Sequence, residues 1–318
     1  MAIYLITGIA GFIGSSLAEA LLKRGDHVRG IDNLVTGTLE NLRSIRDAVD
    51  FREIDLRDAA ATREACTNVD YILHHGAIAS VPLSIEHPET SHGCNIDGTF
   101  NLLEGARQAH VKRVIYAASS SAYGDQPHLL SSESMVPMPI SPYAVQKLTG
   151  EHYMRSYWQV YGLESVSLRY FNIFGPRQAA DSAYSGVLAK FIMQMLEGRQ
   201  PTIFGTGDQG RDFTHIDNVI SANLLACAAP ADRVAGRVFN IACGRQHTLN
   251  DIYRVLAKLT GFDRPPRYGP ARTGDILNSQ ADISAAAKAF GYEPLVGFEE
   301  GLNLTVEWYR ETMAAACP

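Results

Sequence analysis

The sequence has no excess of basic residues and no long apolar run, and each absence excludes a class of protein. Its 318 residues carry 28 Lys and Arg against 34 Asp and Glu, a formal net charge of -6. Because no local basic patch stands out, we expect no nucleic-acid partner. No apolar stretch reaches membrane-spanning length, and the apolar run at 3–6 has no basic segment before it. We therefore predict a cytoplasmic protein that does not enter a membrane.

Cysteines are few and scattered. None of the five stands in a CxxC or CxxH pattern, so we expect no metal site and no disulfide framework; they are Cys66, Cys94, Cys227, Cys243 and Cys317. A hydrophobic content of 46% with 19% charged residues is ordinary for a folded globular protein. The length fits one large α/β unit or two domains.

Strand and helix patterns alternate through the first half of the chain. Strands are predicted at 3–7, 27–32, 51–55, 71–75, 111–119 and 165–172, and helices at 12–24, 95–108 and 143–161. Such alternation indicates an α/β fold with a doubly wound parallel sheet. We predict a first lobe at 1–172 and a smaller α/β lobe at 173–318, with helices near 185–197, 249–260 and 298–312. A strand at 238–242 suggests that the segment near 212–242 returns to the first lobe.

A glycine-rich turn, TGIAGFIG, joins the first strand to the first helix. Its glycines are Gly8, Gly11 and Gly14, and the helix begins at Phe12 and Ile13. Small residues let the backbone approach a pyrophosphate, and a helix N-terminus favours negative charge. A tight turn alone would also explain the glycines, but the strand–turn–helix context favours a Rossmann-type dinucleotide site.

Two carboxylates follow the next strands. Asp32 ends the second strand, where it can accept hydrogen bonds from ribose hydroxyls and would repel a 2′-phosphate, so NAD is favoured over NADP. A simple turn cap is the alternative. Asp55 ends the third predicted strand and could bind the adenine amino group, although a surface turn carboxylate fits equally well.

The segment SPYAVQK places Tyr143 and Lys147 one turn apart on one helix face. Lowering a phenol pKa by about 3 units takes roughly 4 kcal/mol, which a nearby ammonium and an oxidised nicotinamide can supply. A buried tyrosine with a snorkelling lysine is the structural alternative. However, the hydroxyls of Ser119, Ser120 and Ser121 end the fifth strand, at the edge where ligands bind in this architecture.

These motifs and others resemble the extended short-chain dehydrogenase/reductase family, and within it the UDP-glucose and UDP-N-acetylglucosamine 4-epimerases. The likeness covers nearly the whole chain through TGIAGFIG, HHGA, NIDGT, ASSSAYGD, SPYAVQK, RYFNIFGPRQ, GRDFTHIDN and RTGD. It implies that Ser119, Tyr143 and Lys147 form a catalytic triad, with Ser121 near the sugar. Tyr143 would take the proton of the 4′-hydroxyl while C4′ passes a hydride to NAD, and the 4-keto sugar would turn and take it back.

The resemblance also implies further contacts. Cofactor contacts are expected from Asn33, Leu56, Gly76, Ala77 and Asn95, and from Lys147 to the nicotinamide ribose. Sugar contacts are expected from Ser80 and Ser120. Arg211 and Arg272 would clamp the diphosphate, Asn172 would reach the same phosphates, Asp275 the uridine ribose and Phe204 the uracil. Taken singly, each arginine would also suit a solvated surface, and Phe204 a core position.

Residues next to the triad decide between related reactions. The resembling 4,6-dehydratases carry an Asp-Glu pair where this chain has Ser120 and Ser121, and the decarboxylases tend to carry a glutamate in the same segment. Without such a carboxylate, return of the hydride is the simplest outcome. The chain is therefore predicted to be an epimerase.

The preferred sugar is predicted from a pocket position. Ser279 falls where the resembling epimerases line the C2 substituent, and a serine leaves room for an N-acetyl group. The SVPLS segment after Ala79 resembles an SVPxS segment of the N-acetyl-preferring epimerases and supports the same choice. We favour UDP-GlcNAc/UDP-GalNAc, with UDP-Glc/UDP-Gal also accepted, and keep UDP-glucuronate 4-epimerisation as an alternative.

Partners and rival functions complete the predictions. The helices at 95–108 and 143–161 carry apolar residues beyond one stripe. The resemblance implies that such a pair packs against the same pair of a second subunit, so we expect a homodimer through a four-helix bundle, with packing inside one chain as the alternative. A non-catalytic NAD-binding protein and a one-way oxidoreductase that releases NADH are the rival functions.

Overall fold

The structure is a computed structural model that describes residues 1–126, 130–180, 186–271 and 278–316. Its strands are β1 (Ile3–Thr7), β2 (His27–Asp32), β3 (Val49–Glu53), β4 (Tyr71–His74), β5 (Arg113–Ser119), β6 (Leu130–Ser131), β7 (Glu164–Tyr170), β8 (Ile173–Phe174), β9 (Thr202–Phe204), β10 (Gly210–Asp212), β11 (Thr214–His215), β12 (Arg237–Ile241), β13 (Gln246–Thr248), β14 (Arg267–Gly269) and β15 (Asn278–Ala281).

The helices are α1 (Phe12–Lys23), α2 (Ala59–Ala65), α3 (Val81–Glu86), α4 (Pro88–His92), α5 (Gly98–Gln108), α6 (Pro142–Tyr161), α7 (Val187–Leu196), α8 (Ile216–Ala228), α9 (Ala231–Val234), α10 (Leu249–Thr260), α11 (Ser284–Phe290) and α12 (Phe298–Ala316). A 3₁₀ helix covers Leu39–Ala48, another covers Ser120–Tyr123, and a π-helical turn covers Gly93–Asp97.

The large sheet has seven parallel strands in the order β12-β7-β5-β4-β1-β2-β3. The predicted doubly wound α/β fold is therefore confirmed. The chain builds outward from β1 through β2 to β3, and then returns to the other side of β1 with β4. This reversal puts a crevice at the carboxyl ends of β1 and β4, where open α/β sheets bind ligands.

Two hydrophobic cores cover the two faces of this sheet. Along β5, Ile115 and Ala117 pack into one core, while Val114 and Tyr116 pack into the other. This alternation is what a strand buried on both faces requires, because successive side chains point to opposite faces. The sheet is thus a rigid platform for the residues that follow its strands.

A third core lies apart from the large sheet and joins α7, α10 and α12. Beside it lies a four-stranded sheet in the order β13-β10-β15-β6. We call these strands with α7, α10 and α12 the small-sheet region. Because β6 stands between β5 and α6 in the chain, the segment that leads into α6 is anchored to this region.

Several predicted bounds differ from the observed ones. The third strand ends at Glu53 rather than at 55, and the helix predicted from 95 begins at Gly98 after the π-helical turn. Among the described helices, six were not predicted, namely α2, α3, α4, α8, α9 and α11. The predicted strand near 238–242 is β12, which lies beside β7 at the edge of the large sheet.

Among the residues that the structure describes, no helix is both long and apolar enough to cross a bilayer. Within the same residues no group of three or more His, Cys, Asp or Glu side chains is placed to hold a metal ion. Cys66, Cys94, Cys227 and Cys243 are free thiols, and Cys317 lies outside the described residues.

Candidate active site

The glycine loop lies at the crevice between β1 and β4. Gly8 has a φ of 70°, and a Cβ atom there would come within 2.8 Å of the Gly76 Cα. A Cβ atom on Gly14 would come within 2.2 Å of the Gly8 carbonyl oxygen. Both positions therefore require glycine, because the loop packs backbone against backbone at the ends of the two strands.

The first turn of α1 faces a cavity of about 950 Å³. Gly11 is the N-cap of this helix and has no side chain with which to cap the free amide groups. The cavity is walled by most of the predicted cofactor residues, namely Gly8, Gly11, Phe12, Ile13, Gly14, Asp32, Asn33, Asp55, Leu56, Gly76 and Ala77. A dinucleotide could lie along this wall with its pyrophosphate at the helix N-terminus.

Asp32 both lines this cavity and supports the glycine loop. Its Oδ2 accepts a hydrogen bond from the Ala10 amide at 2.9 Å, and its Oδ1 accepts one from the Leu34 amide at 2.8 Å. Burial raises the pKa of this carboxyl despite these hydrogen bonds. The turn cap and the ribose contact considered from the sequence are therefore compatible roles of one side chain.

Asp55 lies two residues beyond the end of β3. Arg57 donates to both of its oxygens at 3.0 and 2.7 Å, and the Asn33 amide donates at 2.9 Å. The hydrogen bonds from Arg57, followed by that from Asn33, hold the pKa of Asp55 well below its usual range. These two partners fix the carboxylate on the wall of the cavity.

Asn95 and Lys147 are not among the wall residues of this cavity. The Asn95 Oδ1 accepts a hydrogen bond from the Ile78 amide at 2.8 Å, and its Nδ2 donates to Gln146 at 2.7 Å. Asn95 therefore ties the loop after β4 to α6. Its side chain supports the cavity through Ile78, which is one of the wall residues.

Ser119, Tyr143 and Lys147 are brought together at the end of β5. Tyr143 shares a hydrogen bond with Ser119, and the Ser121 hydroxyl donates to the Ser119 oxygen at 2.8 Å. The Lys147 Nζ donates to the Ala117 carbonyl oxygen at 2.8 Å. One strand end and one helix thus position the whole predicted triad.

The start of α6 explains where Tyr143 lies. Ser141 is the N-cap and accepts a hydrogen bond from the Ala144 amide, and Pro142 occupies the first helical position, where its missing N–H costs nothing. The Tyr143 amide donates to the Ser84 hydroxyl of α3 at 3.1 Å. The SVPLS segment therefore supports the first turn of this helix.

Burial sets the ionisation of both triad residues on α6. It lowers the pKa of Lys147 to about 8, against the attraction of Glu151. It raises the pKa of Tyr143, and the hydrogen bond with Ser119 opposes this only in part. The sequence led us to expect a phenol acidified by its lysine, whereas the protein groups described here leave it less acidic. The cationic nicotinamide ring is the other group that was expected to act on it.

Some predicted sugar-nucleotide residues converge on the small sheet. Arg211 on β10 and Ser279 on β15 are direct neighbours in parallel register. The Asn172 Nδ2 donates to the Asp212 carbonyl oxygen at 2.8 Å, and Asn172 has a φ of 36°, which is unusual for a residue other than glycine. These residues meet around the buried Asp212.

The other predicted substrate residues are less closely grouped. Ser80 is the N-cap of α3 and accepts from the Leu83 amide at 3.2 Å, so it has a structural role. Ser120 is half-buried where the 3₁₀ helix begins, and Phe204 is half-buried at the end of β9. Arg272 and Asp275 lie outside the described residues.

Comparison with known proteins places this geometry in a family. The model of the NAD-dependent epimerase/dehydratase family matches residues 4–242. The chain belongs to that family. The predicted resemblance to extended short-chain dehydrogenases is thereby confirmed, together with the predicted dependence on NAD.

Relatives within the epimerase/dehydratase family match nearly the whole chain. A UDP-glucose 4-epimerase structure from Thermotoga maritima, with UDP-glucose, is 37% identical with a TM-score of 0.93, covering 98% of this chain and 99% of that one. A UDP-N-acetylglucosamine 4-epimerase structure from Methanobrevibacter ruminantium, with UDP-N-acetylmuramic acid, is 37% identical with a TM-score of 0.92 over the same shares. A UDP-glucuronate 4-epimerase from Thermodesulfobacterium geofontis is 34% identical over 98% of both chains.

The residues present fit the NAD that this epimerase/dehydratase family uses. Gly8 and Gly14 could not carry side chains, and the uncapped helix terminus presents free amides to the cavity. Asp32 lies on the same wall. The cavity therefore suits a dinucleotide held through backbone amides and one carboxylate.

Sequence reasoning missed the opposite wall of this cavity. It is built by the segment 177–180, which includes Arg177, together with Trp308 and Tyr309 of α12. Arg177 forms an ion pair with Glu19 of α1, and it has a φ of 71°. The motif GPRQ contains Arg177. No local sequence pattern indicates that its partner, Glu19, lies 158 positions earlier on α1.

Proposed function

We propose that this protein inverts C4 of a UDP-hexose in an NAD-dependent reaction through a 4-keto sugar, with UDP-GlcNAc/UDP-GalNAc as the preferred pair. The observation that carries the proposal is the meeting of Ser119, Tyr143 and Lys147 beside the dinucleotide cavity. His75, which lines that cavity, is close enough to Lys147 for the ammonium charge to help lower the histidine pKa. The catalytic triad therefore lies next to the cavity that we assign to the dinucleotide.

Each residue of the triad has a distinct task. Tyr143 takes the proton of the 4′-hydroxyl, and Ser119 hydrogen-bonds the same oxygen as its charge changes. Lys147, fixed on the Ala117 carbonyl, holds positive charge behind the phenol. When bound, NAD supplies a reversible hydride acceptor for C4′. The Ser121 hydroxyl orients Ser119 through its 2.8 Å hydrogen bond.

The residues that follow Ser119 support epimerisation over dehydration. Positions 120 and 121 are serines, and the Ser121 side chain is engaged with Ser119. Hydroxyls of ordinary pKa are poor general acids and bases for expelling water, which a carboxylate pair would serve better. Returning the hydride to the opposite face of C4′ needs no such group.

The preference for an N-acetylated sugar rests on Ser279. It is small, half-buried, and adjacent to Arg211, the proposed diphosphate ligand. The relatives named above act on glucose, N-acetylglucosamine and glucuronate derivatives of UDP, so they support UDP-sugar epimerisation without selecting one sugar. UDP-Glc/UDP-Gal remains a second substrate pair, and UDP-glucuronate is the alternative.

The test is turnover of UDP-GlcNAc, UDP-Glc and UDP-glucuronate by purified protein without added NAD. We expect epimerisation of the first two with no net NADH. A strong preference for the glucuronate would overturn the sugar assignment, and net growth of NADH absorbance would favour a one-way oxidoreductase. Protein that retains NAD and turns over none of the three sugars would favour the non-catalytic function.

We propose a homodimer through a four-helix bundle of α5 and α6. Several of the apolar residues that suggested it, including Leu102 and Met154, are buried within the chain. Others remain exposed on the same helices, namely Phe100, Val160 and Tyr161. Sedimentation of the wild type against a variant with charges at these three positions tests the dimer.

We also propose a division into two domains and a cellular location. We assign 1–172 to an NAD-binding domain and 173–318 to a UDP-sugar-binding domain, and the pairing of β12 with β7 supports returning the segment near 212–242 to the first. We propose a cytoplasmic location, which fractionation of cells would test.

A further inference from the structure

A buried ion pair lies one helical turn beyond Lys147. The Arg169 Nε and Nη2 donate to the two Glu151 oxygens at 2.8 and 2.7 Å. Each side chain is only 4% exposed. Burying two charges costs desolvation that their attraction often only offsets, so stability is a weak explanation for such a pair.

The pair is built into the same two elements as the triad. Glu151 follows Lys147 by four residues on α6, and the two therefore share one helix face. Arg169 lies on β7, where it is the register partner of Ala118, the residue before Ser119. Its guanidinium also lies 4.5 Å from the centre of the Tyr123 ring. The two charges thus stand directly behind the catalytic strand end.

We infer that Glu151 and Arg169 are positioning residues that set the charge state of Lys147, with the Glu151 charge favouring the ammonium form and Arg169 limiting the effect of Glu151. The inference rests on the proposed function. It assigns a task to charges that touch neither the sugar nor the cofactor. Together with the Ala117 carbonyl, they would keep Lys147 protonated and in place behind Tyr143.

The titratable groups near Lys147 come from α6 itself and from two strands of the large sheet. Tyr143 and Glu151 lie on α6, Tyr116 on β5 with its ring centre 5.0 Å from the Nζ atom, and His74 and His75 at the end of β4. Burial lowers the pKa of both histidines, that of His75 to about 3, so both are neutral near neutral pH. Glu151 is the carboxylate of this set, and it is the group that opposes the effect of burial on Lys147.

Removing one charge at a time should move the titration of Lys147 in opposite directions. Glu151→Gln removes a negative charge, so Lys147 should lose its proton at lower pH. Arg169→Gln leaves the negative charge uncompensated, so the proton should be lost at higher pH. We expect each shift to be on the order of one pH unit, and the double variant to lie near the wild type.

Lysine labelled with ¹³C at Cε allows a direct measurement by NMR. The chain has only six lysines, and the signal missing from Lys147→Arg identifies the one that matters. Arg155→Gln is the matched control, because it removes a charge from the exposed face of the same helix. It should leave the titration unchanged. Should Arg169→Gln not fold, the double variant must still reverse the shift of Glu151→Gln.

The pH dependence of kcat in the NAD-loaded enzyme provides a second readout. Because a removed negative charge lowers the pKa of every neighbour, both limbs of the profile should move with the NMR titration. A merely structural pair would reduce kcat without opposite shifts. Unchanged titrations, or shifts of the same sign in both single variants, would overturn the inference. Wild-type turnover tests the proposed function separately, since the NMR titration needs no substrate.

Discussion

The Lys147 Nζ donates a hydrogen bond to the main-chain oxygen of Ala117 at 2.8 Å, which joins the catalytic helix to the catalytic strand. Tyr143 lies one turn before this bond on α6, and Ser119 lies two residues beyond it on β5. By joining α6 to β5, Lys147 helps to bring the Tyr143 phenol and the Ser119 hydroxyl together. A lysine in this position has a structural and an electrostatic task at once.

Replacing Tyr143 with phenylalanine should remove catalysis and leave the fold and the cofactor site intact. The ring stays, and the hydrogen bond with Ser119 is lost. We expect kcat to fall roughly 10²- to 10⁴-fold, the usual share of a positioned proton-transfer group. Turnover is measured on protein whose bound NAD has been quantified.

Tyr153→Phe is the matched control, because it removes the same hydroxyl from a half-buried position on the same helix. Its turnover should stay close to that of the wild type. Near-full activity of folded, NAD-bound Tyr143→Phe would remove Tyr143 from the mechanism.

Asp212 should make stability depend on pH. Burial raises its pKa to about 6 from an ordinary 3.8, despite hydrogen bonds from the Cys243 and Ala281 amides. The folded chain therefore holds this proton more tightly than the unfolded chain. The stability that Asp212 contributes is complete below about pH 4 and is lost as the pH rises through about 6.

Urea unfolding of the wild type and of Asp212→Asn measures this effect. Between about pH 4 and pH 7, the wild type should lose on the order of 2 kcal/mol relative to the variant. The absolute stability of the variant is lower, because asparagine cannot accept both sets of amide hydrogen bonds. The decisive quantity is the slope of the unfolding free energy against pH. Parallel pH curves for the two proteins would contradict the prediction.

The local features of this site could be predicted from the sequence. The glycine loop and the i, i+4 pair of Tyr143 and Lys147 depend only on residues close together in the chain. The periodic patterns of strands and helices are therefore enough to predict them. The register of β10 with β15, which makes Arg211 and Ser279 neighbours, depends on segments far apart and could only be suggested by resemblance.

Contacts over long distances in the sequence escaped prediction. The resemblance predicts Asn95 as a cofactor ligand, but its side-chain amide is hydrogen-bonded to Ile78 and Gln146. We expected Lys147 to make Tyr143 acidic, but burial raises the pKa of Tyr143. The extent of burial is set by tertiary packing, which the i, i+4 spacing does not reveal. The same holds for the partner of Arg177, which is fixed by how the chain folds back over α1.

A large residue at position 279 should alter the choice of sugar. Ser279→Tyr would fill volume beside Arg211 that we assign to the N-acetyl group. We expect kcat/KM for UDP-GlcNAc to fall on the order of 100-fold relative to UDP-Glc. Ser279→Ala is the control and should leave the ratio nearly unchanged, since it adds no volume. An equal loss for both sugars would show that the position does not read the C2 substituent.

The Glu19–Arg177 ion pair should slow the release of NAD. It joins α1, whose first turn faces the cavity, to the segment that walls the opposite side. Holding Arg177 at a positive φ costs backbone energy, which indicates that surrounding contacts impose this position. The side chains are 20% and 27% exposed, so the pair should contribute no more than about 1 kcal/mol, or roughly a fivefold change in rate.

Glu19→Gln should therefore release bound NAD a few times faster, while kcat at saturating NAD stays unchanged. Exchange of bound NAD for isotopically labelled NAD measures the rate. Lys23→Gln is the matched control, because Lys23 also bonds Glu19, at 2.8 Å, but is 74% exposed and does not line the cavity. If both variants release NAD at the same rate, the ion pair has no part in retention, and the wall formed by α12 must account for it.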